Sequence, residues 1–128
     1  MAEPIVFISR FRLRAGAADA FERAFDAAIE LIAESKPRTA TYAAYIDDEE
    51  SELRIVHAFS DAAAMSAHFE GADERARSIA GLVEPAGFEV FGPAPTSAVD
   101  MLRQAAGSAG VVLRVFPRCI GGFLRASA

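Results

Sequence analysis

Residues 5–13, IVFISRFRL, alternate strictly. Ile5, Phe7, Ser9, Phe11 and Leu13 fall on one side of an extended chain, and Val6, Ile8, Arg10 and Arg12 on the other. A period of two predicts a strand with one apolar face. Ala15-Gly16 turns the chain, and the stripe Phe21, Phe25, Ala28, Ile29, Ile32 predicts a helix over about 17–35. Pro37 closes it, because the proline ring disfavours helical geometry at Lys36. TYAAYI (41–46) and ELRIVHAF (52–59) flank the acidic run DDEES and read as a hairpin with a solvated tip. On its second strand Leu53, Ile55, His57 and Phe59 share one face. Ser60 or Asp61 suits the N-cap of a helix over roughly 61–70, which Gly71 breaks. ERARSIAGLV (74–83) continues as helix before Pro85 and Gly87, and FEVFG (88–92) predicts a fourth strand. SAVDMLRQAA (97–106) then predicts a short helix, and VVLRVF (111–116) a fifth strand that Pro117 stops.

Strand, helix, strand, strand, helix, strand is the order of an α+β, ferredoxin-like split βαβ domain. Its four-stranded antiparallel sheet carries both helices on one face. Residues 1–96 make up this unit, and 97–128 read as a helix-strand extension of the same domain. The other sheet face is left bare with Val6, Ile8, Val56 and Ala58 on it. A second copy of the chain is the expected cover, giving a homodimer.

Composition removes several function classes. A net charge of −5 argues against nucleic acid or an anionic membrane surface as partner. No apolar run reaches the roughly 20 residues that span a bilayer, and MAEPIVFIS has no basic leader. The single cysteine, Cys119, allows no disulfide within one chain and fits a reducing, cytoplasmic setting. One Cys and two His cannot alone make a four-ligand zinc site. No phosphate-binding loop, dinucleotide fingerprint or nucleophile elbow is present. Lys36, the only lysine, sits before a proline at a helix end, a poor place for a desolvated amine nucleophile.

Three segments carry a family resemblance: FRLRAG ending the first strand, the hairpin TYAAYIDDEESELRIVHAF, and FSDAAAMSAHF. They resemble the antibiotic biosynthesis monooxygenase (ABM) domain, in which an aromatic residue and an acidic one precede an Ala-rich helix carrying Ala-His. FEVFGPAPTSAVDMLRQAA and the closing GGFLR resemble a subgroup with a C-terminal helix. The resemblance implies a dimeric α/β barrel with a cavity in each subunit between sheet and helices. It implies oxidation of a phenol or quinol by molecular oxygen, with no metal or organic cofactor. A related group degrades haem, and this chain departs from that group's pattern. Ser9 stands where an Asn is typical, Phe59 where a Trp is typical, and ERARSIAGLV lacks the haem-ligating His. Many ABM domains also carry Glu where this chain has His57.

Two readings of His57 stand side by side. An imidazole with an ordinary pKa near 6.5 is suited to take a phenolic proton near neutrality, which makes His57 the candidate catalytic base. Ser9 would then bond the substrate oxygen, Phe7, Phe11 and Phe59 would form apolar walls, and His68 would border the same cavity. Alternatively, a His on an apolar strand face is a hydrogen-bonded core residue, and His68 a structural contact of its helix. The corresponding functions are a cofactor-free monooxygenase for a small apolar aromatic, or a non-catalytic dimeric binding or accessory protein. Tyr42 and Tyr45 lie on opposite faces of the second strand, so one of them faces the helices.

Overall fold

The structure, a computed structural model, describes residues 3–125. Nine elements follow in order: β1 (Ile5–Leu13), α1 (Ala18–Ser35), β2 (Thr39–Ile46), β3 (Glu52–Phe59), α2 (Ala62–Phe69), α3 (Ala72–Ile79), β4 (Val83–Phe91), α4 (Thr96–Ala109) and β5 (Leu113–Phe116). They form one sheet of order β2-β3-β1-β4-β5. The first four strands pair antiparallel, as the ferredoxin-like order requires. β5 adds to β4 in parallel, so the sheet is five-stranded and mixed and not a four-stranded antiparallel one. A parallel neighbour needs a crossover connection, and α4 supplies it. The strand expected over 111–116 is Leu113–Phe116, and it pairs with β4 of the same chain.

The alternation in β1 fixes which face is inside. Ile5, Phe7, Ser9 and Leu13 are buried while Val6, Ile8 and Arg10 are half-buried. Two apolar clusters fill the inner face. One joins Ile5, Phe7, Phe59, Phe88 and Val90 to Met65 and Phe69 of α2 and Leu102 of α4. The other joins Leu13, Leu53, Ile55 and Val83 to Phe21 and Phe25 of α1. All the core helices thus lie on one side of the sheet. On the other side stand Val6, Ile8, Val56 and Phe91, half-buried, with Tyr45 62% and Phe116 40% exposed. No helix covers that face, and Arg10, Arg54 and Glu89 stand among its apolar residues.

Local chemistry sets the boundaries. Asp61 is the N-cap of α2: its carboxylate accepts the Ala64 N–H at 2.8 Å and also holds Arg38 at 2.7 and 2.8 Å. Gly71, at φ 81°, separates α2 from α3 by a left-handed turn that a side chain would strain. The helix expected over 74–83 ends at Ile79, and β4 begins at Val83 instead of 88. Pro85 misleads here, since a proline cannot donate to a sheet ladder. It is accommodated because β5 covers β4 only from Phe88 onward, leaving Pro85 on an open edge. A bulge beside it lets Gly87 pair with Arg10 and Pro85 with Phe11, with Ala86 skipped.

Candidate functional site

Between the two clusters the helices present small residues, Ala28, Ala72, Ala76 and Ala105, toward the sheet. Where alanines replace the phenylalanines found at either end, the layers do not close. A cavity of about 380 Å³ remains, bounded by β1–β4 on one side and all four helices on the other. That lies within the usual range for small-molecule sites. Its walls are mostly apolar, with Phe7, Phe11, Phe25, Ile55 and Phe88 among them.

The polar groups gather around His57. Phe7 stacks on its ring at 4.7 Å between centroids. Tyr42, paired with His57 across β2 and β3, lies 5.3 Å away, and His68 meets it edge-on at 5.1 Å. Nδ1–H of His57 donates to the Phe7 carbonyl oxygen at 3.1 Å. A carbonyl only accepts, so Nδ1 carries the proton and Nε2 keeps its lone pair. His68 Nδ1 is bonded to Thr39 Oγ1 at 2.8 Å. Among the described residues no fully enclosed side-chain nitrogen or oxygen lacks a partner. His57 Nε2 and Ser9 Oγ make no such bond, so both reach the cavity, which their residues line.

Burial decides the charge state. Loss of water pushes the His57 imidazole down to about 4, with the Arg75 guanidinium adding to the effect and the Phe7 bond opposing it. His68 falls to about 3, first through burial, then through His57, Arg75 and Lys36. Both rings are neutral at pH 7. Burial also raises the Tyr42 phenol, against the pull of Arg75. The site therefore offers a neutral acceptor at Nε2 and hydroxyl groups on Ser9 and Tyr42, in an apolar enclosure.

Ser9, Phe7, Phe11, His57 and His68, all foreseen as site residues, line this one cavity. Phe59 does not: it is wholly buried in the cluster with Met65, and its place is in the core. Sharing a strand face with His57 puts it inside but under α2, beyond the cavity's end. Tyr42 faces inward and Tyr45 outward. Arg75 is not among the expected site residues, since the sequence marks ERARSIAGLV only as helix. Its guanidinium bends back to the His68 and Glu70 carbonyls at the end of α2 and lines the cavity. Among the described residues no group of three or more His, Cys, Asp or Glu is arranged to hold a metal ion. No described helix is long and apolar enough to cross a membrane.

Several solved structures share this fold. MupZ from Pseudomonas fluorescens superposes with a TM-score of 0.71 at 18% identity, over 96% of this chain and 95% of its own. That span takes in α4 and β5 as well as the first four strands. SnoaB, a cofactor-independent oxygenase from Streptomyces nogalater, matches with a TM-score of 0.59 at 18% identity, covering 70% of this chain and 92% of its own. Rv0793 from Mycobacterium tuberculosis gives 0.59 at 20% identity, over 74% and 99%. At such identities the likeness establishes fold alone. No curated protein matches the sequence significantly. The family model for antibiotic biosynthesis monooxygenase matches residues 4–76, more than half of the chain and all of β1 through α2, and the protein belongs to that family.

Proposed function

We propose that this protein is a cofactor-independent monooxygenase that oxidises a small aromatic phenol or quinol with molecular oxygen. The observation that carries the reading is an open apolar cavity with the free lone pair of His57 Nε2 and the Ser9 hydroxyl in its lining. A tightly filled interior would have favoured a purely structural protein. Family membership and the likeness to SnoaB, itself a cofactor-independent oxygenase, support the chemistry.

The electron count needs no added reductant. A phenol bound with its O–H toward Nε2 passes its proton to His57 as the ring, now electron-rich, gives one electron to oxygen. The radical pair recombines with a C–O bond at a ring carbon, forming a peroxide that takes the proton back from His57. Loss of the ring C–H proton with cleavage of O–O releases water and leaves a quinone carbonyl. One oxygen atom enters the product and one becomes water, with all four electrons drawn from the substrate. The protein has to take the proton, orient the ring and exclude bulk water. An imidazole held near 4 is a weak base for this task. It keeps the proton only transiently, which suits a group that must return it.

The test is oxygen uptake by metal-free protein on a panel of hydroquinones, naphthols and anthrones. Wild type should consume oxygen, and a folded His57→Ala variant should be slower by about 10²–10⁴-fold, the usual range for a proton-transfer group. Uptake unchanged by the substitution removes His57 from the mechanism. Tight binding without uptake across the panel would make this a binding protein. The pH profile supplies a second check. His57 works unprotonated, so activity should persist as pH falls through 6.5 and decline only toward the folded-state value near 4.

We also propose that the apolar sheet face is covered by a second copy, giving the dimer that the family resemblance implies. Ile8 and Val56 are direct partners at its centre. Wild type should sediment as a dimer and Ile8→Glu as a monomer or unstable chain. A wild type that stays monomeric at micromolar concentration would refute this.

A further inference from the structure

Arg75 is an arginine whose charge no carboxylate answers. The four ion pairs among the described residues use Arg14, Lys36, Arg38 and Arg54. Asp73 lines the same cavity but makes no ion pair with it. Two of the guanidinium nitrogens are fixed by the carbonyl oxygens of Glu70 and His68, the first at 3.2 Å. These bonds satisfy carbonyls that the short helix α2 leaves free at its end. They also hold a planar cation rigidly at the wall of an otherwise apolar cavity. A guanidinium has five N–H donors, so others remain for a guest. It is half-buried, and it stands close enough to His57, His68 and Tyr42 to act on all three electrostatically. A half-buried cation held at the wall of an apolar cavity, beside its polar side chains, is arranged for an anion.

We propose that Arg75 binds an oxyanion of the substrate, and thus that the substrate is an aromatic carrying or forming one at the His57 end of the cavity. This rests on the reading of the cavity as the substrate site and narrows its substrate class. Two sources share this chemistry: a carboxylate on the ring system, or the phenolic oxygen itself once its proton has left. In the second case Arg75 stabilises the ion from which the electron is drawn, and its field favours that ion as it disfavours an imidazolium. Arg75 then offsets the weakness of His57 as a base, by making the phenol the stronger acid.

The two sources separate in anaerobic titrations at pH 7, where no turnover occurs. Calorimetry with 2-naphthoate and its neutral isostere 2-naphthamide reads the carboxylate. The absorption spectrum of bound 1-naphthol reads whether it is held as the phenol or the naphtholate. Wild type should either bind the naphthoate at least about 10-fold more tightly than the amide, as one charge-assisted contact warrants, or show the naphtholate spectrum. The first assigns a carboxylate, the second the phenolic oxygen, and both support the proposal. Arg75→Gln should abolish the effect seen, and Arg75→Lys should restore part of it. Equal binding of acid and amide together with an unionised naphthol in wild type overturns the proposal, and that comparison needs no variant to fold. An effect that persists in folded Arg75→Gln also overturns it. Oxygen uptake is scored separately. Either effect without uptake on any panel member counts against the oxygenase and leaves Arg75 assigned, whereas uptake with neither naphthoate preference nor a naphtholate spectrum removes Arg75 alone.

Discussion

Acidification from pH 7 to pH 4 is expected to strip several kcal/mol from the stability of this protein, through two histidines. In the unfolded chain both imidazoles titrate near 6.5; in the fold they are held at about 4 and about 3. Between those values the unfolded chain binds protons that the folded chain refuses. Stability is therefore complete above pH 6.5 and falls as pH drops below it, His57 ceasing to contribute near 4 and His68 near 3. One pH unit of such a mismatch is worth about 1.4 kcal/mol, so His57 alone costs on the order of 3 kcal/mol by pH 4. A domain of this size has about 5–15 kcal/mol in hand. Urea midpoints for wild type, His57→Gln and His68→Gln at pH 7, 5.5 and 4.5 isolate the effect from carboxylate titration. Each variant should flatten the wild-type curve, by up to about 1.4 kcal/mol per pH unit once pH is below 6.5. Parallel curves for all three proteins would show that the buried rings do not resist protonation.

Gly92→Ala should be among the most damaging single-methyl additions available. Gly92 follows β4 at φ 98°, where L residues are strained, and its N–H donates to the Phe116 carbonyl at 2.8 Å. A Cβ there would lie 2.5 Å from the Pro4 carbonyl oxygen and 3.3 Å from Ile5 Cα. Both contacts are backbone, so relief requires moving the start of β1 away from β4. A loss of about 3 kcal/mol or more is expected, read as a shift in thermal or urea midpoint. The contrast is Gly107→Ala inside α4, where an added Cβ meets nothing within 4 Å. That change should stabilise by about 0.5–1 kcal/mol through helix propensity and a less flexible unfolded chain. Equal effects at the two sites would contradict the close approach of Pro4 to Gly92.

The parts of the fold legible in sequence are those where period and burial agree. β1 alternates because one face is core and the other is not, and the β3 run LRIVHAF does the same, which is why His57 could be placed inward. β2 carries no such signal: TATYAAYI has apolar residues on both sides. Only its pairing with β3, Tyr42 opposite His57, decides which tyrosine enters the site. The first half of β4 was hidden by Pro85, whose tolerance depends on where β5 ends, a fact no local pattern contains. Facing inward also differs from facing a cavity. Phe7 and Phe59 share the inner face, and what separates them is the helix above: alanines over one part of the sheet, Met65 over the other. Arg75 lay outside sequence reasoning for a similar reason. Its position in α3 looks solvated until Gly71 folds α3 back on the end of α2.

The central place of β1 bears on how the chain is made. Its neighbours are β3, where Ile5 meets Phe59, and β4, where Val6 meets Phe91. As the chain leaves the ribosome, IVFISRF emerges ahead of both partners and waits for them. α1 follows it at once but has only half a sheet to pack on. Long-range pairing of this kind slows folding and leaves a hydrophobic strand edge open meanwhile. A nascent chain halted before Val83 can close one side of β1 through the β3 hairpin and leaves the other unpaired, a ready template for the same segment of another copy. Completion of β4 seals that edge, making its late arrival the step that commits the chain to its own sheet.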